Sequence, residues 1–325
     1  MKKVLLASTV LAMTATVAAA EITVSGSARM GVIYTEDRQK AFFDVDNKQE
    51  LQFSSRIRIV FTASGETDTG LAFGGTIRAD NAAGGNAGTA GSVFMSGAFG
   101  RLSMGDVNGA AEQIVGDLAG VGFTGLGDKS DNMFLGNGGI ASIINDEFEL
   151  PFFFDEDQTA IGVRPTALYV YSTGGLTFAL SADNPGNDVN GVLERVLSVA
   201  VGYSVDSYSF GVGYESAKAD GVSIDHVVAS AGASFSGVDL KAVYGRSSDL
   251  DFKQYGLSAS YSVDAIGVSA FHRVEDFGGD KTRYTGIGAS YDLGGNAAVV
   301  GGLVNTKADG ASGRNTADLG LTFSF

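Results

Sequence analysis

Cysteine and tryptophan are absent from this 325-residue chain, proline occurs three times and histidine twice. Without cysteine there is no disulfide framework and no thiolate-bound zinc or iron–sulfur centre. Two histidines, His226 and His272, are too few for a histidine-rich metal site. Positive charge is scarce as well: 22 Lys and Arg stand against 37 Asp and Glu, a net of −15. That balance argues against a nucleic-acid partner, which needs a basic face to displace counterions. Long apolar runs are missing too. Beyond the first 20 residues no stretch reaches the ~20 apolar residues of a membrane helix.

What is present begins with a targeting pattern. Met1, Lys2 and Lys3 are followed by an apolar stretch from Val4 to Val17 and by Ala18, Ala19 and Ala20. A basic start, an apolar middle and a small-residue end predict a secretory signal over residues 1–20, cleaved after Ala20. Residues 21–325 then form the mature chain, with 20 basic and 37 acidic residues and a net of −17.

The mature chain has a period of two. Ile22, Val24, Gly26, Ala28, Met30, Val32 and Tyr34 alternate with polar or small residues, the signature of a strand with one apolar and one wet face. The pattern returns along Leu51–Ala63, Leu71–Ala79, Tyr208–Tyr214, Val238–Tyr244, Tyr255–Val263 and Leu319–Phe325. Sixteen strands are predicted, with no helical insert and no break in composition, so residues 21–325 read as one all-β domain. Short connections alternate with long ones, among the latter Ala217–Ser223, Val274–Asp280 and Thr306–Thr316. By far the longest runs from about Asp106 to Pro165.

A soluble sandwich or propeller would bury the apolar face, whereas a membrane barrel turns it to lipid and fills the lumen with polar side chains. Wet faces rich in Ser, Thr, Gly and charge favour the barrel, as do the alternating connections and a last strand ending on Phe325. The prediction is a transmembrane antiparallel 16-stranded β-barrel.

The segments Ile22–Tyr34 (ITVSGSARMGVIY), Ser55–Gly70 (SRIRIVFTASGETDTG), Val93–Gly105 (VFMSGAFGRLSMG), Tyr284–Gly301 (YTGIGASYDLGGNAAVVG) and Thr316–Phe325 (TADLGLTFSF) carry a resemblance. In them the chain resembles the general diffusion porins of alphaproteobacterial outer membranes, the Rhodobacter type. The resemblance spans essentially the whole mature chain. It implies a homotrimer of 16-stranded barrels in the outer membrane, in contact with lipid and lipopolysaccharide. It also implies an inward-folded third external loop as constriction, and a terminal Phe325 that addresses the chain to the barrel-assembly machinery. One departure is the segment 106–165, longer than the family's constricting loop.

The residues themselves point to a pore. Arg29, Arg56, Arg58 and Arg78 alternate with lipid-type positions, and a charge on the lipid face at mid-membrane costs about 2–4 kcal/mol. All four should therefore face the lumen as a basic wall, unless they pair with loop acids at a rim. Between residues 106 and 165 stand eleven acids against Lys129 and Arg164, a net of −9. Of these, Asp106, Glu112, Asp117, Asp128 and Asp131 are the candidate acidic side of a constriction; an acidic external lid is the plainer alternative. A long loop in a compact protein is usually functional, and facing charge rings form a filter.

Acid pairs raise the question of calcium. Asp155, Glu156 and Asp157, Asp44 with Asp46, and Asp249 with Asp251 are the candidates, none with the spacing of a dedicated calcium loop. No other metal or cofactor is expected. Gly120–Gly125 matches a dinucleotide-binding pattern but lacks the following helix that would give it meaning. The expected function is passive diffusion of small hydrophilic solutes and ions with weak cation preference, and no enzymatic activity. A lipase-like barrel or a plugged structural or adhesive barrel is the alternative. For the first, Ser269 and His272 fall on opposite faces of one strand, which breaks the pair a hydrolase needs.

Overall fold

The computed structural model describes residues 21–37, 50–82, 89–136, 166–183, 195–219 and 222–325. The segment 1–20, the acids Asp44 and Asp46, and residues 137–165 lie outside them.

Among the described residues sixteen strands form one closed antiparallel barrel in sequence order. The first half comprises β1 (Glu21–Thr35), β2 (Leu51–Glu66), β3 (Ala72–Ala82), β4 (Thr89–Gly97), β5 (Gly100–Gly105), β6 (Thr166–Thr173), β7 (Leu176–Asp183) and β8 (Arg195–Val205). The second comprises β9 (Tyr208–Ala219), β10 (Val222–Phe235), β11 (Val238–Ser247), β12 (Phe252–Val263), β13 (Ile266–Phe277), β14 (Asp280–Gly294), β15 (Ala297–Ala308) and β16 (Arg314–Ser324). β1 pairs with both β2 and β16, so no edge is left open. Closure is obligatory in lipid, where an unpaired backbone group costs several kcal/mol.

The alternation read from the sequence maps onto the two faces. Phe53 is 88% exposed, Leu257 63% and Ile287 62%, and Ile22, Val24, Met30, Leu51, Phe61 and Ile77 of the first three strands are exposed as well. Near the short turns the outer surface carries exposed Tyr203, Tyr208, Phe235, Tyr261, Tyr291 and Phe325. These form an aromatic girdle of the kind that marks a membrane interface.

Two expectations need correction. The chain does contain a helix, α1 (Ala110–Val115), inside the long loop. And three connections expected to be long are short: two residues separate β9 from β10 and β13 from β14, and five separate β15 from β16. At the last two, polar residues continue the ladder and carry opposite charges across it. Lys281 lies opposite Asp276 at 3.7 Å, and Arg283 reaches Asp309 at 2.5 Å. Gly278 and Gly279, both at positive φ, close the β13–β14 hairpin.

The interior is where ordinary packing occurs. Ala111, Val115, Leu118, Val121, Leu126 and Phe134 of the loop after β5 bury themselves against Val228, Val243, Phe271, Tyr284 and Val304 of the wall. The apolar residues of that loop therefore serve to fold it inward, each buried Val, Leu or Phe contributing about 1.5–3 kcal/mol.

Candidate functional site: the lumen between the basic wall and the inner loop

The loop leaves β5 at Asp106 and runs along the inner wall as far as the barrel seam. The Ala110 and Ala111 amides donate to Ser181 Oγ and Ser198 Oγ at 2.8 and 2.9 Å. Ala119 N donates to Ser258 Oγ at 3.0 Å, and the Ser269 hydroxyl donates to Gly120 O at 2.8 Å. At the seam, Asp318 of β16 accepts from Thr124 N and Thr124 Oγ1 at 2.8 and 2.6 Å. Arg29 Nη1 then donates to Phe123 O at 3.2 Å.

Close approach is permitted by glycine on the wall. A Cβ on Gly213 would stand 2.6 Å from Ala111 Cβ, and one on Gly302 would stand 2.5 Å from the Gly122 nitrogen. The Gly120–Gly125 segment, with its dinucleotide-like spacing, is thus a strap lying against β13–β16. Gly122, at φ 79°, sits where any Cβ would strike Asp318.

After Asp128 the loop doubles back. Gln254 of β12 pairs with Met133 as a strand would, its Oε1 accepting from Met133 N at 2.8 Å and its Nε2 donating to Met133 O at 2.6 Å. Glu215 of β9 accepts from Leu135 N at 2.9 Å, from Gly136 N at 3.3 Å and from His226 Nδ1 at 3.0 Å. Glu215, His226 and Gln254 are fully buried. Glu215, Gln254 and Asp318 were not singled out from the sequence, and His226 was noted only as one of two histidines too few for a metal site. The signal was there, since each occupies an inward position of an alternating strand.

The basic wall stands on β1–β3. Arg29 lies directly opposite Arg56, Arg58 opposite Asp80 and Arg78 opposite Val60. Arg58 grips Asp80 with both arms, Nε to Oδ1 at 2.7 Å and Nη2 to Oδ2 at 2.5 Å. Arg78 approaches Asp80 at 3.8 Å and Asp106 at 3.9 Å. Asp80, its side chain 3% exposed, is a carboxylate within the basic wall that the sequence reading passed over.

The five loop acids do not share one place. Asp106 meets Arg78. Glu112 lies in the first turn of α1. Asp117 accepts from Asn132 N at 2.8 Å, and its charged neighbours are Lys241 and Arg273 rather than the basic wall. Asp128, at φ 54°, is the acid whose field reaches Arg29. Asp131 lies beside Asp117 and Asp128; burial, and then those two charges, raise its carboxyl pKa to about 6. The expectation that all five oppose the Arg wall is thus corrected: Asp117 and Asp131 belong to the loop's fold-back, on the side of β11 and β13.

Ser269 points into the lumen and His272 outward, its Nδ1 2.8 Å from Thr285 Oγ1, so the two do not meet. Of the calcium candidates, Asp249 is occupied in accepting from Asp225 N at 2.8 Å. Among the described residues no group of three or more His, Cys, Asp or Glu is placed to hold a metal ion. Below the loop, toward the short turns, the lumen opens into hydroxyl-lined spaces of about 510 and 650 Å³.

A profile of the Gram-negative porin family matches residues 7–311. The chain is similar to a porin of Rhodobacter capsulatus, 32% identical over 94% of this chain and all of that one. A porin of Fuscovulum blasticum is 27% identical over the same shares. Among solved structures, a porin refined at 1.8 Å resolution is 30% identical, with a TM-score of 0.71 over 94% of this chain and all of that one. A triple mutant of the Rhodopseudomonas blastica porin, 23% identical over the same shares, has the same fold at a TM-score of 0.68.

Proposed function

The chain belongs to the Gram-negative porins, and from that premise we propose that it forms a water-filled pore for passive diffusion of small hydrophilic solutes and ions. It is a multi-pass β-barrel of the outer membrane. The observation that carries the proposal is the inner loop. It is held by wall hydroxyls from β7 to β13 and by Asp318 at the seam, while Arg56, Arg58 and Arg78 remain on the wall beyond that seam. Solutes would cross between these two surfaces, in a field running from Asp106 and Asp128 to the arginines.

The same reading gives a weak cation preference. The described part of the loop carries five acids against Lys129, and fixed negative charge at the approaches concentrates cations. Assembly as a homotrimer is part of the proposal, supported by the small outward residues Ala28, Gly75 and Ala79. A hollow of about 490 Å³ between Met30, Phe53 and Leu321 on the same outer face adds to that support. Gly26, on the same outer face, is covered by the Phe325 ring and is not part of that small-residue surface. Recognition by the barrel-assembly machinery through Phe325, an exposed aromatic following β16, belongs to the same proposal.

Recording in a planar bilayer tests this. Steady large conductance steps with a small cation-favouring zero-current potential are expected. Absence of steps would overturn the pore reading in favour of a plugged or enzymatic barrel, and monomers alone in mild detergent would overturn the trimer.

A further inference from the structure

The four arginines of the basic wall are not equivalent. Arg58 and Arg78 share Asp80, and Arg78 also meets Asp106. Arg29 and Arg56 have no carboxylate within ion-pair distance among the described residues. They are nevertheless direct cross-strand partners, and like charges placed opposite each other destabilise a sheet. Among the described residues Arg29 has one hydrogen bond, to the uncharged Phe123 carbonyl, Arg56 has none, and the Nε of both is buried without a partner. Asp128, Asp318 and Asp80 act on this pair only through space.

We propose that Arg29 and Arg56 form a binding site for a small free oxyanion, of the class of phosphate and sulfate. The proposal rests on the pore reading above, because the ligand must arrive through the lumen. Two planar guanidinium groups on cross-strand partner residues can turn N–H donors toward the oxygens of one tetrahedral anion, a match that a spherical halide cannot use. Arg58 is spent on Asp80 and contributes charge alone. An anion held here offsets the repulsion between Arg29 and Arg56. It also removes positive charge from the wall, so the occupied pore should prefer cations more strongly than the empty one.

The test is a titration with inorganic phosphate of the full-length protein in a planar bilayer, at mildly alkaline pH and about 0.1 M KCl, where the Debye length is about 10 Å. Expected is a saturable fall in conductance together with a shift of the zero-current potential toward potassium. Sulfate should reproduce both, and chloride at matched ionic strength neither. Arg56→Gln should weaken the phosphate effect about tenfold or more, as loss of charge-assisted hydrogen bonds would. Arg56→Lys keeps the charge without the fork and should also weaken it, which secures the result if the glutamine variant assembles poorly. Arg283→Gln makes the same charge change on the outer face and should leave the effect intact. Channels with no saturable phosphate effect, or an effect unchanged by both Arg56 variants, would overturn the oxyanion site and leave the pore standing. No channels at all would overturn the pore reading, and the site with it.

Discussion

Phe325 and Gly26 close the barrel as a reciprocal pair. Gly26 N donates to Phe325 O at 2.6 Å and Phe325 N donates to Gly26 O at 3.0 Å. The Phe325 ring lies over Gly26, where a Cβ would come within 2.5 Å of it. The terminal residue therefore both extends the β1–β16 ladder and occupies the space glycine leaves. Deleting Phe325, or changing Gly26→Leu, should impair assembly rather than conduction. The loss removes two backbone hydrogen bonds at a lipid-facing seam, where each unsatisfied group costs several kcal/mol. Heat-modifiable migration on gels measures the folded fraction. Normal amounts of inserted barrel from both variants would contradict the argument.

Neutralising Arg56, Arg58 and Arg78 together should strengthen cation preference and admit larger solutes. A unit charge about 4 Å away contributes about 1 kcal/mol in water, so each arginine changes the local concentration of either ion by about fivefold, in opposite directions for cations and anions. The effect should fade as salt rises, since screening falls to about 3 Å at 1 M. Because Arg58 holds Asp80 with both arms, its removal also frees that carboxylate, and the shift should exceed that from Arg78 alone. Zero-current potentials in a salt gradient, with sugar flux into liposomes, give both readouts.

The barrel was legible because its signal is repeated sixteen times: alternation fixes which side of each strand meets lipid, so Arg29, Arg56, Arg58 and Arg78 could be placed inward residue by residue. The loop was legible only in outline. Its acids are set by contacts far away in sequence, such as Asn132 on Asp117 and Asp318 on Thr124, and no local period encodes these. Asp80 was missed although it follows Arg78 by two and must share its face. The short tips at Gly278 and Gly279 were missed because polar residues that pair across strands resemble loop composition.

Glu215 should prove the main clasp on the returning arm of the loop. Its carboxylate accepts from Leu135 N, Gly136 N and His226, and orphaning a buried donor costs about 1–3 kcal/mol. Glu215→Ala should therefore free Leu135 and Gly136, raising current noise and protease sensitivity in the loop while the barrel still inserts. Gln254→Ala removes the paired bonds to Met133 and should act in the same direction. Ser269→Ala, which removes one hydroxyl donor from Gly120, should be milder.

Selectivity should depend on pH, through Asp131, in a window near neutrality. Burial first, and then Asp117 and Asp128, raise its pKa to about 6; burial raises that of Asp117 in the same direction. As pH falls through about 6 the Asp131 carboxylate takes up a proton, the loop loses negative charge, and cation preference should decline. The folded loop binds this proton more tightly than an unfolded chain would, so acidification should favour the loop's native fold-back until the unfolded-state pKa is passed. The pore should accordingly stay open and grow less cation-selective between about pH 7 and 5, the reverse of an acid-triggered release of the loop. Asp131→Asn should flatten that stretch of the selectivity curve and hold it at the low-pH level. Zero-current potentials across the range decide the matter, and an unchanged titration in Asp131→Asn would assign the dependence to another group.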